Sequence, residues 1–429
     1  MTKRIKSLFK SKFVLNTGWM MFAQIYQMIV SLIIGVISAR YLGPSNYGTI
    51  NYAASYVSFF SIACQLGLEG IVVKEIVNNR SKEGEILGSS IVMRLCAALL
   101  SIISVCLIVW VINPNDNLLL IVTFLRALIL LFEAFNILET WYQSNLQSKV
   151  TTIIKCVAYT VMSLYRIILL LTARSVIWFA FATSLDALVI AVLLLVHYSK
   201  HGTHKLSNSW VTGKTLFSQS YHLIISTLMA VVYSQMDKLM IGKMIDQTHV
   251  GFYAAATTIC HMWMFIPQAL SNSSRPLIVD LKQKSERTYL KRLRQLNFAT
   301  FWIGFICAVA ITVLSDFIIN TLYGADYAEA KGPLILIIWS VAISALSYPR
   351  AIWMICEGNQ NYTKHILIWG VVVNLVLNAI SIPILGMNGA AIATIATEFM
   401  CCFIAPLFYK STRIYVIYLL QSIVGIGVR

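Results

Sequence analysis

The residues of this sequence that could do chemistry are charged side chains that lie inside long apolar runs. A charged side chain at the centre of a membrane costs about 2.5–3.5 kcal/mol on insertion scales, so such a residue is by default a functional hypothesis. Three of these residues are arginines and five are acidic. The arginines are Arg94, Arg126 and Arg166, and the acidic residues are Glu69, Glu133, Asp186, Asp237 and Glu398.

The three arginines suit an anionic substrate. A guanidinium is a planar fork of donors that matches the oxygens of a phosphate. We therefore predict that Arg94, Arg126 and Arg166 line a cationic cavity that binds a phosphate-bearing molecule. An alternative stays open for Arg126, which lies on the same helix face as Glu133. These two residues could pair with each other or with a neighbour and only hold the helices together.

The five acidic residues suggest coupling to an ion gradient. A carboxyl group in a low-dielectric cavity is suited to proton exchange near neutral pH. We predict that Glu69, Glu133, Asp186, Asp237 or Glu398 lines a polar cavity and binds the coupling ion, which is either H⁺ or Na⁺. The sequence does not distinguish among the five residues or between the two ions.

The elements that must position these residues are membrane-spanning helices. Hydrophobic residues make up 58% of the 429 residues and charged residues only 12%, against about 25% charged in soluble domains. This composition excludes a soluble enzyme, a disordered chain and a disulfide scaffold. A spanning helix needs about 20 mostly apolar residues. The twelve candidate spans are 14–39, 49–72, 86–112, 118–140, 150–172, 175–198, 216–241, 250–272, 296–320, 333–356, 364–383 and 388–409.

Basic residues predict the orientation of these spans. Lys and Arg are frequent near the N-terminus and in every second loop after it, and they are rare in the intervening loops. Over an even number of spans this bias places both termini in the cytoplasm. The first apolar run, 14–39, is longer than the core of a signal peptide, so we interpret it as an uncleaved first span. Because the charges cluster in short gaps, the net charge of +16 does not indicate a nucleic-acid partner.

The most polar gap in the middle of the chain divides the spans into two sets of six. We predict an N-terminal lobe over 1–198, a cytoplasmic linker over 199–215, a C-terminal lobe over 216–409 and a tail over 410–429. The halves are weakly alike: Tyr47-Gly48 opens the second span as Val250-Gly251 opens the eighth. Parallel repeats of this kind are a transporter architecture. Polar stripes on several spans predict a hydrated cavity between the halves.

Motifs for covalent or metal chemistry are absent from the sequence. It contains no P-loop, no H-E-x-x-H and no G-x-S-x-G, and its nine cysteines form no C-x-x-C pair. His201 and His204 lie in the basic linker, where we expect them to be solvated. We therefore predict no catalytic residue, no metal site and no cofactor other than the coupling ion.

Several motifs give the chain a family resemblance. Ala39-Arg40-Tyr41-Leu42-Gly43-Pro44 followed by Tyr47-Gly48 closely resembles the first loop of bacterial polysaccharide-biosynthesis flippases. These are the O-antigen and capsule lipid-linked-oligosaccharide translocases of the multidrug/oligosaccharidyl-lipid/polysaccharide exporter superfamily. Later matches follow in the same order, and together they cover roughly 14–409. They are Asp237-Lys238, Gly251-Phe252-Tyr253-Ala254-Ala255, Leu322-Tyr323-Gly324, and Ala393-Thr394 ahead of Glu398.

The resemblance implies an all-α polytopic membrane protein of about twelve helices in two six-helix halves. It implies a transporter in the bacterial cytoplasmic (inner) membrane that moves undecaprenyl-pyrophosphate-linked oligosaccharide units of O-antigen (lipopolysaccharide), capsule or exopolysaccharide to the outer leaflet by alternating access. Its partners would be that lipid, the bilayer, and polymerase and chain-length proteins of the same pathway.

Two rival functions remain at this point. A multidrug cation exporter would share the fold, but the intramembrane arginines disfavour it. A membrane polymerase or ligase should carry a sizeable outer loop, and the gaps such as 113–117 are too short for one.

Overall fold

The structure is a computed structural model that describes residues 12–427, except for the side chains of residues 12–17, 20, 222, 223, 225–227 and 230. Within these residues the chain is helical and contains no β-strand. The prediction of an all-α polytopic membrane fold is confirmed.

The first part of the chain forms eight α-helices. They are α1 (Lys12–Gln65), α2 (Glu69–Asn78), α3 (Glu83–Ile112), α4 (Asn117–Ala127), α5 (Ile129–Glu133), α6 (Leu138–Ser144), α7 (Ser148–Leu171) and α8 (Val176–His201). The first of these is kinked at Gly43, which has φ 72° and ψ 168°. A positive φ favours glycine because it has no Cβ. The first-loop motif at Gly43-Pro44 therefore takes the form of a sharp kink within α1.

The second part of the chain adds nine α-helices. They are α9 (Trp210–Met244), α10 (Gln247–Met262), α11 (Phe265–Lys284), α12 (Glu286–Leu322), α13 (Lys331–Ser344), α14 (Ser347–Cys356), α15 (Tyr362–Leu385), α16 (Met387–Phe399) and α17 (Lys410–Ile423). Capping side chains begin two of these helices. Asp246 accepts a hydrogen bond from the backbone of His249 at α10, and Ser285 accepts one from Thr288 at α12.

Ten helical segments of the described residues are long and apolar enough to cross a membrane. The first, Met21–Asn78, overlaps the first predicted span and contains the second, because the two join at the Gly43 kink. The span predicted over 216–241 lies within the continuous helix α9, and because several of its residues lie outside the described side chains it stays a prediction. The other predicted spans each overlap one segment, so the chain is a multi-pass membrane protein. The cytoplasmic location of the termini stays a prediction.

The chain divides into two compact units. The first comprises 1–42 and 49–231, and the second comprises 43–48 and 232–429. The change between them lies within α9, whereas the sequence analysis placed a linker at 199–215. Part of that linker, after α8, docks on α3 of the first unit: the Ser207 amide donates to the Gly84 carbonyl at 3.1 Å. The bounds predicted for the lobes themselves stay a prediction.

Two glycines of the predicted repeat approach backbone within the second unit. A Cβ on Gly48 would lie 1.7 Å from the Gln247 carbonyl oxygen, and one on Gly251 would lie 2.1 Å from the Pro44 carbonyl oxygen. Each glycine therefore faces the carbonyl four residues before the other. This reciprocal contact is the arrangement expected where two equivalent segments are related by a local two-fold axis.

The tail also packs as a helix. In α17, Tyr415 and Leu419 are buried, and the Tyr415 hydroxyl donates to Asn297 Oδ1 of α12 at 3.0 Å. This contact and the core formed with Leu293 and Trp353 fix α17 against the second unit.

Candidate functional site

The candidate residues fall into three clusters, two in the first unit and one in the second. The first cluster surrounds Arg94 on α3, whose side chain is only 1% exposed. Its Nη2 lies 3.7 Å from Glu69 Oε1, which is an ion-pair distance but too long for a good hydrogen bond. Nearby, Ser61 donates to Glu133 Oε2 at 3.0 Å. Glu133 lies near enough to act electrostatically on Arg94.

The Arg94 guanidinium is under-satisfied in this setting. Its Nε and Nη2 atoms are buried without a hydrogen-bond partner among the described residues. A buried cation is costly unless it is paired and hydrogen-bonded. In this conformation Arg94 is therefore enclosed beside carboxylates, and it could reach a substrate only after it is uncovered. Its assignment to a cationic cavity stays a prediction.

The second cluster joins the other two arginines to one aspartate. Arg166 on α7 forms an ion pair with Asp186 on α8, and the side chains are 20% and 15% exposed. Arg126 on α4 donates from Nη1 to Thr183 Oγ1 at 3.1 Å and acts electrostatically on Asp186. Two arginines and one aspartate leave one net positive charge. This cluster, which we call the Arg126–Arg166 cluster, can attract an anion.

The sequence left open that Arg126 and Glu133 pair with each other or with a neighbour and only hold the helices together. In the structure the two side chains contact different partners. Arg126 contacts Thr183 on α8, whereas Glu133 accepts its hydrogen bond from Ser61 on α1. The two residues belong to different clusters although they lie seven positions apart. The helix breaks between Ala127 and Ile129, so the face that the sequence assigns to both residues is not continuous.

The third cluster lines a cavity of about 160 Å³ within the second unit. Helices α9, α10, α13 and α16 contribute to its wall. The polar side chains in the wall that concern us are those of Tyr233, Asp237, Lys238, Tyr253, Thr394 and Glu398. It is the cavity in which two of the predicted acidic residues, Asp237 and Glu398, meet.

Asp237 is 6% exposed and is held by four side-chain donors. The Tyr253 and Thr394 hydroxyls donate to Oδ2, each at 2.6 Å. Asn378 Nδ2 donates to Oδ1 at 2.7 Å and Asn374 Nδ2 donates to it at 3.2 Å. These hydrogen bonds to both carboxyl oxygens offset the cost of burying the polar side chain.

Glu398 is bound differently from Asp237. Its carboxylate accepts a hydrogen bond from the Tyr233 hydroxyl, and Arg350 lies within electrostatic range. Arg350 itself donates to the Cys401 carbonyl oxygen. Glu398 therefore has one direct donor where Asp237 has four.

Some of these partners were not recognised as site residues from the sequence. Asn374 and Asn378 stand four residues apart in an apolar run, and that spacing already indicated one polar face of α15. Tyr233 carried no comparable signal, because a single tyrosine in an apolar run is ordinary. No group of three or more His, Cys, Asp or Glu side chains that could hold a metal ion occurs among the described residues.

Comparison with protein families gives two matches. The family model described as "Polysaccharide biosynthesis protein" matches residues 13–282, and the model described as "MatE" matches residues 223–380.

Two relatives match most of the chain. The "Probable low-salt glycan biosynthesis flippase Agl15" of Haloferax volcanii is 25% identical over 363 residues, which cover 83% of this chain and 75% of that protein. The "Capsular polysaccharide biosynthesis protein CapF" of Staphylococcus aureus is 19% identical and covers 92% of this chain and 98% of that protein.

Two solved structures share the fold. The lipid II flippase MurJ in an inward closed conformation superposes with a TM-score of 0.70 at 12% identity, covering 96% of this chain and 90% of that chain. An inward-facing multidrug resistance MATE transporter of the MOP superfamily superposes with a TM-score of 0.67 at 10% identity, covering 92% of this chain and 96% of that chain. At these identities the structural matches establish the fold alone.

Proposed function

The chain belongs to the polysaccharide biosynthesis protein family, and from that premise we propose that it is a flippase for a lipid-linked oligosaccharide. The match to the family over residues 13–282 carries the proposal. The similarity to a glycan biosynthesis flippase and to a capsular polysaccharide protein supports the same class of cargo. In its finer form, the proposal is that undecaprenyl-pyrophosphate-linked units of O-antigen or capsule move from the inner to the outer leaflet of the bacterial cytoplasmic membrane by alternating access.

The chemistry of the cargo explains why a protein is needed. A sugar headgroup that carries a pyrophosphate cannot enter hydrocarbon, because buried charges and unpaired hydroxyls are costly. The polyprenyl tail can remain in the lipid while polar side chains shield the headgroup. The Arg126–Arg166 cluster, with its net positive charge, supports recognition of the pyrophosphate.

Export of a cationic drug is the second candidate, and the fold does not separate it from the first. A multidrug transporter superposes nearly as well as the lipid II flippase. The clustered arginines favour an anionic cargo, and the relatives matched by sequence carry glycan names. A polymerase or ligase is the third candidate. The similarity to named flippases supports a transporter over an enzyme.

Asp237 is the residue we propose for ion coupling, and Na⁺ is the ion its surroundings fit. Hard cations take oxygen ligands, and the Thr394 and Tyr253 hydroxyls stand at the carboxylate, whereas the two asparagines turn their amide nitrogens toward it. Asn378 Oδ1 is buried with no hydrogen-bond partner among the described residues. An amide oxygen without a hydrogen-bond donor, close to a carboxylate, is a suitable ligand for a cation. A proton carried on Glu398 is the competing possibility.

The proposal is tested with the purified chain in sealed liposomes that contain a polyprenyl-pyrophosphate-linked oligosaccharide. A membrane-impermeant oxidant of the sugar reports how much of the lipid faces outward. We expect the protein to raise the outward fraction above that in protein-free liposomes, and to raise it faster with an imposed Na⁺ gradient. Outward fractions equal to those in protein-free liposomes under Na⁺, proton and no gradients would contradict the flippase assignment.

A further inference from the structure

A groove of about 200 Å³ runs between α11 and α12 in the second unit. Its wall is largely apolar and includes Leu270, Leu277 and Leu296. Leu277 is 51% exposed, so the groove opens to the surroundings of the helix pair. Arg292 and Gln295 stand in its wall, and Arg292 Nη1 donates to Gln295 Oε1 at 2.8 Å. One groove therefore combines an apolar wall with a guanidinium that is held beside it.

The same helix pair carries a strong excess of positive charge. Residues 275–294 contain seven Lys or Arg side chains and two carboxylates, which leaves five positive charges in excess. Both carboxylates are already engaged, since Lys284 binds Asp280 at 2.7 Å and Lys282 binds Glu286 at 3.0 Å. Arg292 is exposed and contacts the neutral Gln295. Its charge is not neutralised by either carboxylate.

The length of α12 places this charge at the edge of the membrane. The helix has 37 residues, which at 1.5 Å per residue is about 55 Å, against about 30 Å for the hydrocarbon core. Because most charged residues of the helix lie in its first turns, we infer that its N-terminal end is the part that extends beyond the hydrocarbon. Arg292 is the seventh residue of the helix, and Leu296 and Ala299 follow it toward the membrane interior. The guanidinium lies at the depth of lipid headgroups, and the apolar wall lies at the depth of acyl chains.

We propose that this groove is a binding site for an anionic phospholipid of the surrounding leaflet, with the phosphate on Arg292 and one acyl chain along the leucines. Basic pockets between membrane helices bind acidic headgroups of lipids. The planar guanidinium of Arg292 matches the oxygens of a phosphate. An acyl chain that covers the apolar wall of the groove is bound favourably, because both surfaces are apolar. A zwitterionic lipid lacks the net charge that the cationic helix pair selects. The site is independent of whether the chain is a flippase.

Native mass spectrometry of the purified full-length protein tests the site. Phosphatidylglycerol or phosphatidylcholine is added in equal amounts, and retained lipid is counted for the native chain, Arg292→Gln and Arg287→Gln. Arg287 is exposed on the same helix but is not in the groove wall, so its variant removes the same charge. We expect at least fivefold more phosphatidylglycerol than phosphatidylcholine on the native chain and on Arg287→Gln. This preference should be lost in Arg292→Gln.

A second variant distinguishes lipid binding in the groove from diffuse attraction to the surface charge. Ala299→Phe fills the groove and leaves every charge in place, so we expect it to lose retained phosphatidylglycerol while eluting as the native protein does. Equal losses in Arg292→Gln and Arg287→Gln would overturn the proposal, because they would indicate diffuse attraction. Equal retention of both lipids would overturn it as well. Displacement of phosphatidylglycerol by equimolar undecaprenyl phosphate would assign the groove to the cargo lipid and would also overturn it.

Discussion

Asp237 combines burial with four side-chain donors within the described part of the chain. The donors come from α10, α15 and α16, so the carboxylate ties three helices to α9. An isosteric change that removes only the charge therefore separates ion binding from packing.

We predict that Asp237→Asn shifts the stimulation of transport to higher Na⁺ concentrations and leaves the protein folded. A contact to a charged group is worth about 1.5–3 kcal/mol, so the loss in apparent Na⁺ affinity should be about tenfold or more. The measurement is the rate of outward exposure of the lipid-linked sugar as a function of Na⁺ concentration. Asp246→Asn is the matched control, since it removes an acidic residue outside the cavity and keeps a capping side chain. An unchanged Na⁺ response in Asp237→Asn would assign coupling to another residue.

The Arg166–Asp186 pair permits a charge-reversal test. Reversing one partner of this partly buried pair sets two like charges side by side, so Arg166→Asp and Asp186→Arg should each lower the thermal-unfolding midpoint by several degrees. The double variant should regain most of that stability. The transport of the double variant decides the role of Arg166. We predict that transport stays impaired, because the proposed recognition of the pyrophosphate requires a guanidinium at position 166. Full transport in the double variant would mean that the pair is only structural.

The residue types of these clusters were predictable from the sequence, but their pairing was not. Arg166 and Asp186 are 20 positions apart on neighbouring helices, and only the packing of α7 against α8 brings them together. Arg94 was predicted to line a cavity and lies enclosed beside Glu69. The sequence indicates that a charge is buried in the membrane. It does not indicate whether a carboxylate from another helix covers that charge.

At the scale of the elements, Gly48 and Gly251 mark a close backbone approach between the two segments of the predicted repeat. We predict that Gly48→Ala and Gly251→Ala each destabilise the protein by about 1–3 kcal/mol, because the added methyl would overlap a carbonyl oxygen. Gly35→Ala is the control: it is helical and meets nothing within 4 Å. Thermal unfolding in detergent measures the difference. Native-like midpoints for both glycine variants would show that the two segments separate easily.

The N-terminal cap of α10 gives a prediction about stability and pH. Burial would raise the pKa of Asp246, but hydrogen bonds from the backbone and side chain of His249 outweigh it and lower the pKa. The ionised cap therefore stabilises the folded state above the unfolded pKa of about 3.9, and this contribution is lost as the pH falls through the folded pKa. Asp246→Ala should cost about 1 kcal/mol at pH 7, and Asp246→Asn much less. Equal midpoints for the native chain and Asp246→Ala at pH 7 would contradict this role.

The helices themselves were largely predictable because apolar length is a strong signal. Where apolar length did not predict the helix boundaries, the cause is local. The fourth predicted span is divided into α4, α5 and α6 with a 3-10 turn between the last two, since breaks of this kind leave hydrophobicity unchanged. The seventh predicted span, 216–241, falls in the continuous helix α9, and it stays a prediction because part of it lies outside the described side chains.

At the scale of the whole molecule, the composition and the family match lead to the same class of protein. The chain is a multi-pass membrane protein of the polysaccharide biosynthesis protein family, and each of its two units contains buried charged clusters. The sequence analysis predicted the family from motifs spread over nearly the whole chain, and the family match confirms it. The identity of the sugar is not encoded in any local motif, because a polar surface that shields a headgroup can serve many saccharides.

The central claim is translocation of a lipid-linked oligosaccharide, and the leaflet in which that lipid accumulates tests it most directly. The gene is deleted in its own cell, and intact spheroplasts are treated with a membrane-impermeant reagent that modifies sugars. Our account predicts that single lipid-linked units accumulate and are shielded from the reagent until the membrane is opened. Restoring the native chain should remove them. Single units that accumulate on the outer face, open to the reagent, would contradict the account, because flipping would then proceed without this protein.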